Sequence, residues 1–138
     1  MAVIEELIRK EADGTLSFGN YLLPSKQKLS DFEYDGDSYK VKTFKEITKL
    51  ERNGMFVYES VPGTVVTSMK MEENRISFTV EGTEDSQITL EMEAEKEYDV
   101  IIDGKDYGKM KTNLGGKLSI SIEMDNGQQA KVEVIKSE

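Results

Sequence analysis

The feature that most constrains this chain is the alternation of short apolar runs with two-residue turn signals. It is clearest from Tyr98 to Gly127, which reads YDVIIDGKDYGKMKTNLGGKLSISIEMDNG. The dipeptides Asp103-Gly104, Gly115-Gly116 and Asn126-Gly127 punctuate the alternating runs there, and such dipeptides supply the positive φ angles that tight hairpin turns need. The stretch therefore predicts a β-meander with a hairpin turn at each dipeptide.

The rest of the chain shows the same spacing. About eleven or twelve short strand-like runs recur with a turn roughly every eight to twelve residues, which is typical of antiparallel sandwiches and barrels. Asp35-Gly36 predicts one hairpin. Residues 43–53 are ambiguous, because Thr43 and Glu46 have the capping-box spacing of a helix, whereas Asn53-Gly54 separates two runs that could pair as strands. The strand-like flanks favour a strand.

Residues 2–10, AVIEELIRK, carry a helical pattern, with Val3, Ile4, Leu7 and Ile8 on one face. Glutamates come early and basic residues late, as the helix dipole prefers. We predict a short helix that caps an open sheet edge or barrel end, or packs on a second subunit; an edge strand is the alternative. The expected fold is all-β, an antiparallel β-sandwich or jelly roll with a short N-terminal helix. It forms one domain over residues 1–138, with a minor seam near residues 82–86.

Composition excludes several functions. A formal net charge of −9 disfavours nucleic acids and anionic membrane surfaces as partners, since both need a cationic footprint. The chain has no cysteine and no histidine, which excludes thiolate metal sites and the commonest general base. The N-terminus lacks a signal-peptide pattern, and no apolar run reaches the roughly 20 residues of a membrane span. We expect a cytoplasmic protein without a cofactor.

An acidic run resembles the front of a calcium-binding loop. Asp31, Glu33, Asp35 and Asp37 alternate around a glycine as in an EF-hand, but the twelfth position is Lys42 instead of glutamate. The flanks are strand-like, so the run favours an acidic hairpin whose carboxylates face water. Asp35 and Asp37 remain weak candidates for a metal site.

Aromatic and acidic side chains offer weak candidates for ligand binding. Tyr34, Tyr39 and Tyr58 could form an exposed strip for sugar stacking, although tyrosines in strands more often bury the ring and keep only the hydroxyl in water. Glu59 ends a strand just before Pro62 and is the most distinctive single carboxylate. A pair of close carboxylates could hydrolyse a glycosidic bond, provided that one of them has a raised pKa.

Three segments together, GNYLLP, DSYKVKTFKEITKLERNGMFVYESVPGT and GKMKTNLGGKLSISIEM, resemble a small uncharacterised bacterial family sometimes labelled "endosialidase". The likeness runs along nearly the whole chain. The phage tail-spike endosialidases are large propeller and stalk trimers, and nothing here matches their catalytic arginine and glutamate arrangement. An arginine clamp for a sialate carboxylate would need Arg9, Arg52 and Arg75 together, and no functional residue is carried over.

The final fifty or so residues, with the patterns Y-x-V-x-x-D-G and G-K-L-S-I, resemble the β-sandwich modules appended to polysaccharide-active enzymes, a fold-level likeness. We therefore expect a non-catalytic binding or interaction module for a carbohydrate or a protein. One alternative is a structural homo-oligomer that assembles through sheet edges or the N-terminal segment. A further alternative is a small carboxylate-dependent glycan hydrolase.

Overall fold

A computed structural model describes residues 3–124 and 128–137, which form thirteen strands in two antiparallel sheets. The order in the seven-stranded sheet is β1 (Ile8–Lys10), β2 (Leu16–Phe18), β7 (Val65–Glu72), β8 (Arg75–Gly82), β13 (Gln128–Lys136), β10 (Glu97–Ile102) and β11 (Lys105–Lys111). The order in the six-stranded sheet is β12 (Lys117–Ile122), β9 (Ser86–Glu91), β6 (Met55–Val61), β5 (Ile47–Arg52), β4 (Asp37–Phe44) and β3 (Gln27–Tyr34). The all-β, sandwich-like fold is confirmed. Within these described ranges, no helix is long and apolar enough to span a membrane.

The two sheets pack face to face around one large hydrophobic cluster to which strands of both sheets contribute. Tyr58 of β6 lies at its centre, with its ring edge-on to Phe18 of β2 at 5.3 Å and to Phe78 of β8 at 5.7 Å between centroids. Alternation along each strand explains this core, since every second side chain points inward. In β12, for example, Leu118, Ile120 and Ile122 are buried whereas the serines between them are exposed.

The predicted N-terminal helix is wrong. From Val3 onward the segment runs as coil and turn into the short strand β1, and Leu7 has a φ of 74°, which no α-helix contains. Backbone bonds to Gly19 hold it, because the Ile4 N–H donates to the Gly19 carbonyl and the Gly19 N–H donates to the Leu7 carbonyl. A helix of this length is marginal by itself, so pairing beside β2 and burial of Ile4, Leu7 and Ile8 determine the conformation.

The turn dipeptides have mixed outcomes. Asp35-Gly36, Asn53-Gly54 and Asp103-Gly104 form hairpin turns with positive φ at both residues. The ambiguous residues 43–53 are not helical, and they comprise the end of β4, a turn at residues 45–46 and the strand β5. Gly115-Gly116 does not close a hairpin, because β11 belongs to the seven-stranded sheet and β12 pairs with β9 in the other. The meander prediction is therefore wrong at that step. Asn126-Gly127 lies outside the described residues.

Residues 82–86, where we expected a minor seam, form the connection between β8 and β9. The chain crosses there from the seven-stranded to the six-stranded sheet. Strands before and after this connection contribute to the same hydrophobic cluster. The seam is thus a crossover between layers that share one core.

A cluster of buried hydroxyl groups joins three strands and a loop. The Thr48 hydroxyl donates to the Thr64 carbonyl at 2.8 Å, accepts from the Thr64 N–H at 3.0 Å, and lies 2.8 Å from the Thr43 hydroxyl. The Thr43 hydroxyl in turn accepts from the Asn20 N–H at 2.9 Å. The three threonines are fully buried. These bonds satisfy backbone groups of the loop between β6 and β7 that would otherwise be buried without partners.

Two further hydroxyls complete this group, which we call the buried hydroxyl cluster: Thr43, Thr48, Tyr58, Ser60 and Thr64. The hydroxyls of Tyr58 and Ser60 each lie 2.8 Å from that of Thr64. Burial raises the pKa of Tyr58, and the bonds with Thr64 and Ser60 offset only part of that shift. Tyr58 therefore stays neutral, and its hydroxyl can donate or accept the hydrogen bond with Thr64.

The β4–β5 turn and the β6–β7 connection approach each other closely beside the buried hydroxyl cluster. The Gly63 N–H donates to the carbonyl of Lys45, in the turn between β4 and β5, and a Cβ at Gly63 would lie only 2.0 Å from the Phe44 carbonyl oxygen. Only glycine fits at that contact, because the obstacle is backbone and cannot rotate away. The β4–β5 turn of the six-stranded sheet and the β6–β7 connection between the two sheets are thus held together.

We predict that Thr48→Val lowers the free energy of unfolding by about 3 kcal/mol, since it leaves the Thr64 N–H and the Thr43 hydroxyl without this buried partner. Urea unfolding followed by circular dichroism measures the change. The matched control is Thr79→Val at a half-buried position of β8, which should change stability by less than about 0.5 kcal/mol. Equal effects of the two variants would contradict a structural role for the cluster.

We further predict that Gly63→Ala lowers the free energy of unfolding by roughly 1–3 kcal/mol, because the methyl group overlaps the Phe44 carbonyl. Gly115→Ala is the control, since its Cβ would meet only the Asn113 side chain, at an ordinary contact distance of 3.5 Å. Thermal unfolding of both variants tests the difference. Similar midpoints would show that the turn moves freely away from Phe44.

Candidate functional site

A continuous row of polar and charged side chains crosses the outer face of the six-stranded sheet. Their neighbours along the strands, such as Thr43, Thr48 and Leu90, are buried, so the row points away from the core. Strand register places the members of this outer-face row directly opposite one another on successive strands: Lys28 on β3, Lys42 on β4, Lys49 on β5, Glu59 on β6, Thr89 on β9 and Ser119 on β12.

The three lysines form a cross-strand ladder. Lys42 is directly opposite Lys28 on one side and Lys49 on the other, and directly opposite side chains have Cβ atoms about 4.5–5.5 Å apart. Lys40 joins them in lining a depression of about 150 Å³ that contains one acidic residue, Glu51. The Glu51 carboxylate lies 3.9 Å from the Lys49 ammonium, so it compensates the ladder at one end. Like charges directly opposite destabilise a sheet, so this arrangement costs the free protein stability.

Phe56 of β6 lies beside two lysine ammonium groups. The Lys117 ammonium lies 4.7 Å from the centroid of its ring and the Lys49 ammonium 6.0 Å away, both within the range of a cation–π contact. Lys117 also forms an ion pair with Glu91 on the neighbouring strand. The ring therefore lies between two lysines, one of which belongs to the outer-face row.

The structure separates the ligand-binding candidates. Glu59 is part of the outer-face row, between Lys49 and Thr89. Tyr34, Tyr39 and Tyr58 bury their rings, with exposures of 7%, 2% and 0%. They do not form an exposed strip, because alternation places each of them on the inner side of its strand.

The metal candidates Asp35 and Asp37 do not form part of an acidic cluster. Asp35 lies in the hairpin turn, and the Asp37 carboxylate accepts a hydrogen bond from the Asn53 side-chain amide at 2.9 Å. Within residues 3–124 and 128–137, no group of three or more carboxylates is placed to hold a metal ion. Asp31 and Glu33 lie on β3, Asp35 lies in the turn and Asp37 begins β4, so the hairpin spreads the acids along extended backbone. A calcium loop instead turns its ligands inward toward one ion.

Acidic residues also line a larger cavity of about 310 Å³ at one end of the sandwich, including Glu91 and Glu93. A hydrolase would need one of these acids to have a raised pKa. The hydrogen bond from Lys136 instead lowers the pKa of Glu93. Glu91 is paired with Lys117. Among the described carboxylates, Glu81 alone is buried, and it is hydrogen-bonded to Tyr21 and does not line this cavity.

The three arginines do not meet at one site. Arg52 and Arg75 line the cavity at the end of the sandwich, whereas Arg9 lies on β1 and pairs with Glu6 and Glu11. A three-arginine clamp for a sialate carboxylate is therefore absent from this arrangement.

Sequence reasoning missed the lysine ladder. A signal was present in YKVKTFKEITKL, where Lys40, Lys42 and Lys49 alternate with residues of the inner face. The contribution of Lys28 could not be predicted, because a bulge near Asp31 shifts the register of β3 against β4 by one residue. Without that bulge, the Asp35-Gly36 turn would pair Lys42 with Leu29.

Strands β1, β3, β11 and β12 are edge strands of their sheets. All seven residues of β11 are exposed, and three of them are lysines. Lysine on an edge strand is a common protection against pairing with a second chain. The homo-oligomer hypothesis stays a prediction.

Comparisons with protein-family models, with curated proteins and with solved structures gave no match to this chain.

Proposed function

We propose that the protein is a non-catalytic binding module for an acidic glycan, and that the outer-face row is its binding surface. The observation that carries this proposal is the repulsive ladder of Lys28, Lys42 and Lys49 on a chain whose acidic residues outnumber its basic ones by 27 to 18. Carboxylate or sulfate groups along a glycan would neutralise the ladder and relieve its repulsion.

The chemistry of the whole row favours a glycan over other polyanions. Beyond the lysines, Glu59 offers acceptors for sugar hydroxyls, and the hydroxyls of Thr89 and Ser119 can donate or accept. A glycan carries both negative charges and many hydroxyls, so it can use both halves of the row. A nucleic acid carries a much denser line of phosphates and would meet the strong negative charge of the rest of the chain.

The composition of the outer-face row also favours binding of a glycan without hydrolysis of its glycosidic bonds. It contains one carboxylate, Glu59, and glycoside hydrolysis ordinarily uses two. The proposed partner is therefore a carbohydrate held through its charge and hydroxyls. The cytoplasmic location stays a prediction, because a chain without cysteine can fold in a reducing or an oxidising compartment.

We predict that the protein binds polygalacturonate or colominic acid and that Lys42→Gln weakens this binding at least about tenfold, because a hydrogen bond to a charged group contributes about 1.5–3 kcal/mol. Calorimetric titration measures the affinity, which should fall as salt is added. Lys42→Arg should retain most of the binding. Lys70→Gln, on the other sheet, is the matched control and should bind as the unchanged protein does.

Binding of other polymers tests whether the ligand is an acidic glycan. Heparin distinguishes sulfate from carboxylate recognition, and neutral dextran should not bind. Tighter binding of single-stranded DNA or of polyglutamate than of every acidic glycan would replace the glycan by a nucleic acid or an acidic protein. Binding of none of these polyanions would refute the proposal.

We also predict that Lys42→Glu stabilises the free protein by about 0.5–1 kcal/mol while it abolishes glycan binding, since the new carboxylate would have lysines opposite it on both sides. The gain should shrink in high salt. Lys40→Glu is the matched control, because position 40 is directly opposite Glu51 and the change should destabilise instead. Equal destabilisation by both changes would show that the ladder is not repulsive.

A further inference from the structure

A second surface on the molecule is concave and differs in chemistry from the outer-face row. The cavity of about 310 Å³, which we call the end cavity, opens where the β5–β6 turn, the β7–β8 turn and the β9–β10 connection come together. Its volume lies in the range of small-ligand sites. None of the lysines of the outer-face row lines it.

The apolar part of the end cavity is formed largely by methionines. Met55, Met71 and Met92 all line it, together with Phe56. Met55 is 64% exposed, which is unusual for so large an apolar side chain. Methionine side chains adapt their shape to an apolar partner, so a surface built from them can take up an aliphatic or aromatic group.

The polar part is formed by the guanidinium groups of Arg52 and Arg75, and that of Arg52 also hydrogen-bonds the Tyr39 hydroxyl. The Arg75 Nη2 donates to the Glu133 carboxylate at 2.6 Å, but the Arg75 Nε is buried and has no hydrogen-bond partner in the described structure. That Nε is shielded from solvent, but the Arg75 side chain as a whole is 42% exposed, so its guanidinium group can be reached from the cavity. The Arg52 Nη1 contacts the Met71 sulfur at 4.0 Å, and a thioether is a weak acceptor.

Two of the four glutamates that line the cavity form ion pairs with neighbouring lysines. Glu91 is paired with Lys117, and Glu93 is paired with Lys136. The remaining two are exposed, Glu72 at the end of β7 and Glu73 on the turn between β7 and β8. An acceptor that enters the cavity beside Arg75 therefore meets guanidinium groups and apolar walls.

We propose that the end cavity binds a small amphipathic carboxylate. The carboxylate pairs with the guanidinium groups of Arg75 and Arg52, both of which line the cavity, and the apolar body of the ligand packs among Met55, Met71 and Met92. Arginine suits this role because its planar donors match the two oxygens of a carboxylate. The carboxylate can come from a free organic acid or from the carboxyl terminus of an apolar peptide. This site is independent of glycan binding at the outer-face row.

Titration of protein labelled with ¹³C at the methionine methyl groups tests the proposal, with octanoate as the probe. We expect saturable shifts of the Met55, Met71 and Met92 methyl signals. The buried Met69 and Met124, and Met110 on β11, serve as internal controls and should not move. Octanol and octylamine should bind at least tenfold more weakly than octanoate, because neither offers a carboxylate to the arginines.

A short apolar peptide, tested once with a free and once with an amidated carboxyl terminus, distinguishes the two sources of the carboxylate. Binding of octanoate alone assigns the cavity to a free acid, and binding of the free-terminus peptide alone assigns it to a peptide terminus. Both results support carboxylate recognition. The proposal is overturned if neither octanoate nor the peptide shifts the methyl signals. It is also overturned if octanoate and octanol bind equally well.

Arginine variants test the proposed contacts. Arg52→Gln and Arg75→Gln should each weaken octanoate binding about tenfold, whereas Arg9→Gln, which removes the arginine on β1, should leave it unchanged. Arg75→Gln also removes the partner of Glu133; if that variant does not fold, the variant of the exposed Arg52 provides the test. Unchanged affinity of the folded Arg52→Gln protein overturns the role of the guanidinium pair.

Discussion

The register of β4 against β5 determines both faces of the six-stranded sheet. On the inner face, Thr43 and Thr48 are directly opposite each other and their hydroxyls lie 2.8 Å apart within the buried hydroxyl cluster. On the outer face, the adjacent pair is Lys42 and Lys49, two like charges. A slip of one residue would exchange the two faces. The buried hydrogen bonds therefore hold in place a surface pair that repels itself, and the cluster supplies the stability that the ladder costs.

Local chemistry predicted most of the fold but not the pairing of distant segments. The turns at Asp35-Gly36, Asn53-Gly54 and Asp103-Gly104 follow from their own residues, since positive φ is favourable there. Gly115-Gly116 carries the same signal, but the destination of the next strand depends on its pairing with β9, which is distant in sequence. The prediction of a helix in the N-terminal segment was wrong for a related reason. Its helical pattern is local, whereas its bonds to Gly19 are not.

The candidate site was less predictable than the fold because it depends on register. Alternation alone assigns Lys42 and Lys49 to the outer face, but two bulges determine which residues meet them. One bulge shifts β3 so that Lys28 faces Lys42, and the other shifts β6 so that Glu59 faces Lys49. A bulge changes the pairing of every residue beyond it, and neither bulge is marked by a glycine. The tyrosines could be placed only by knowing which face of each strand is buried.

Two groups of lysines, those of β11 and those of the ladder, differ in whether edge protection explains them. Those of β11 lie on an open edge, where charge prevents pairing with another chain. Lys42 and Lys49 lie on inner strands whose backbone is paired on both sides, so edge protection does not account for them. Solubility does not account for them either, because a glutamate at position 42 would be equally hydrated and would relieve the repulsion. A positive charge beside two other lysines on inner strands is the feature that the proposed recognition of an anion would use.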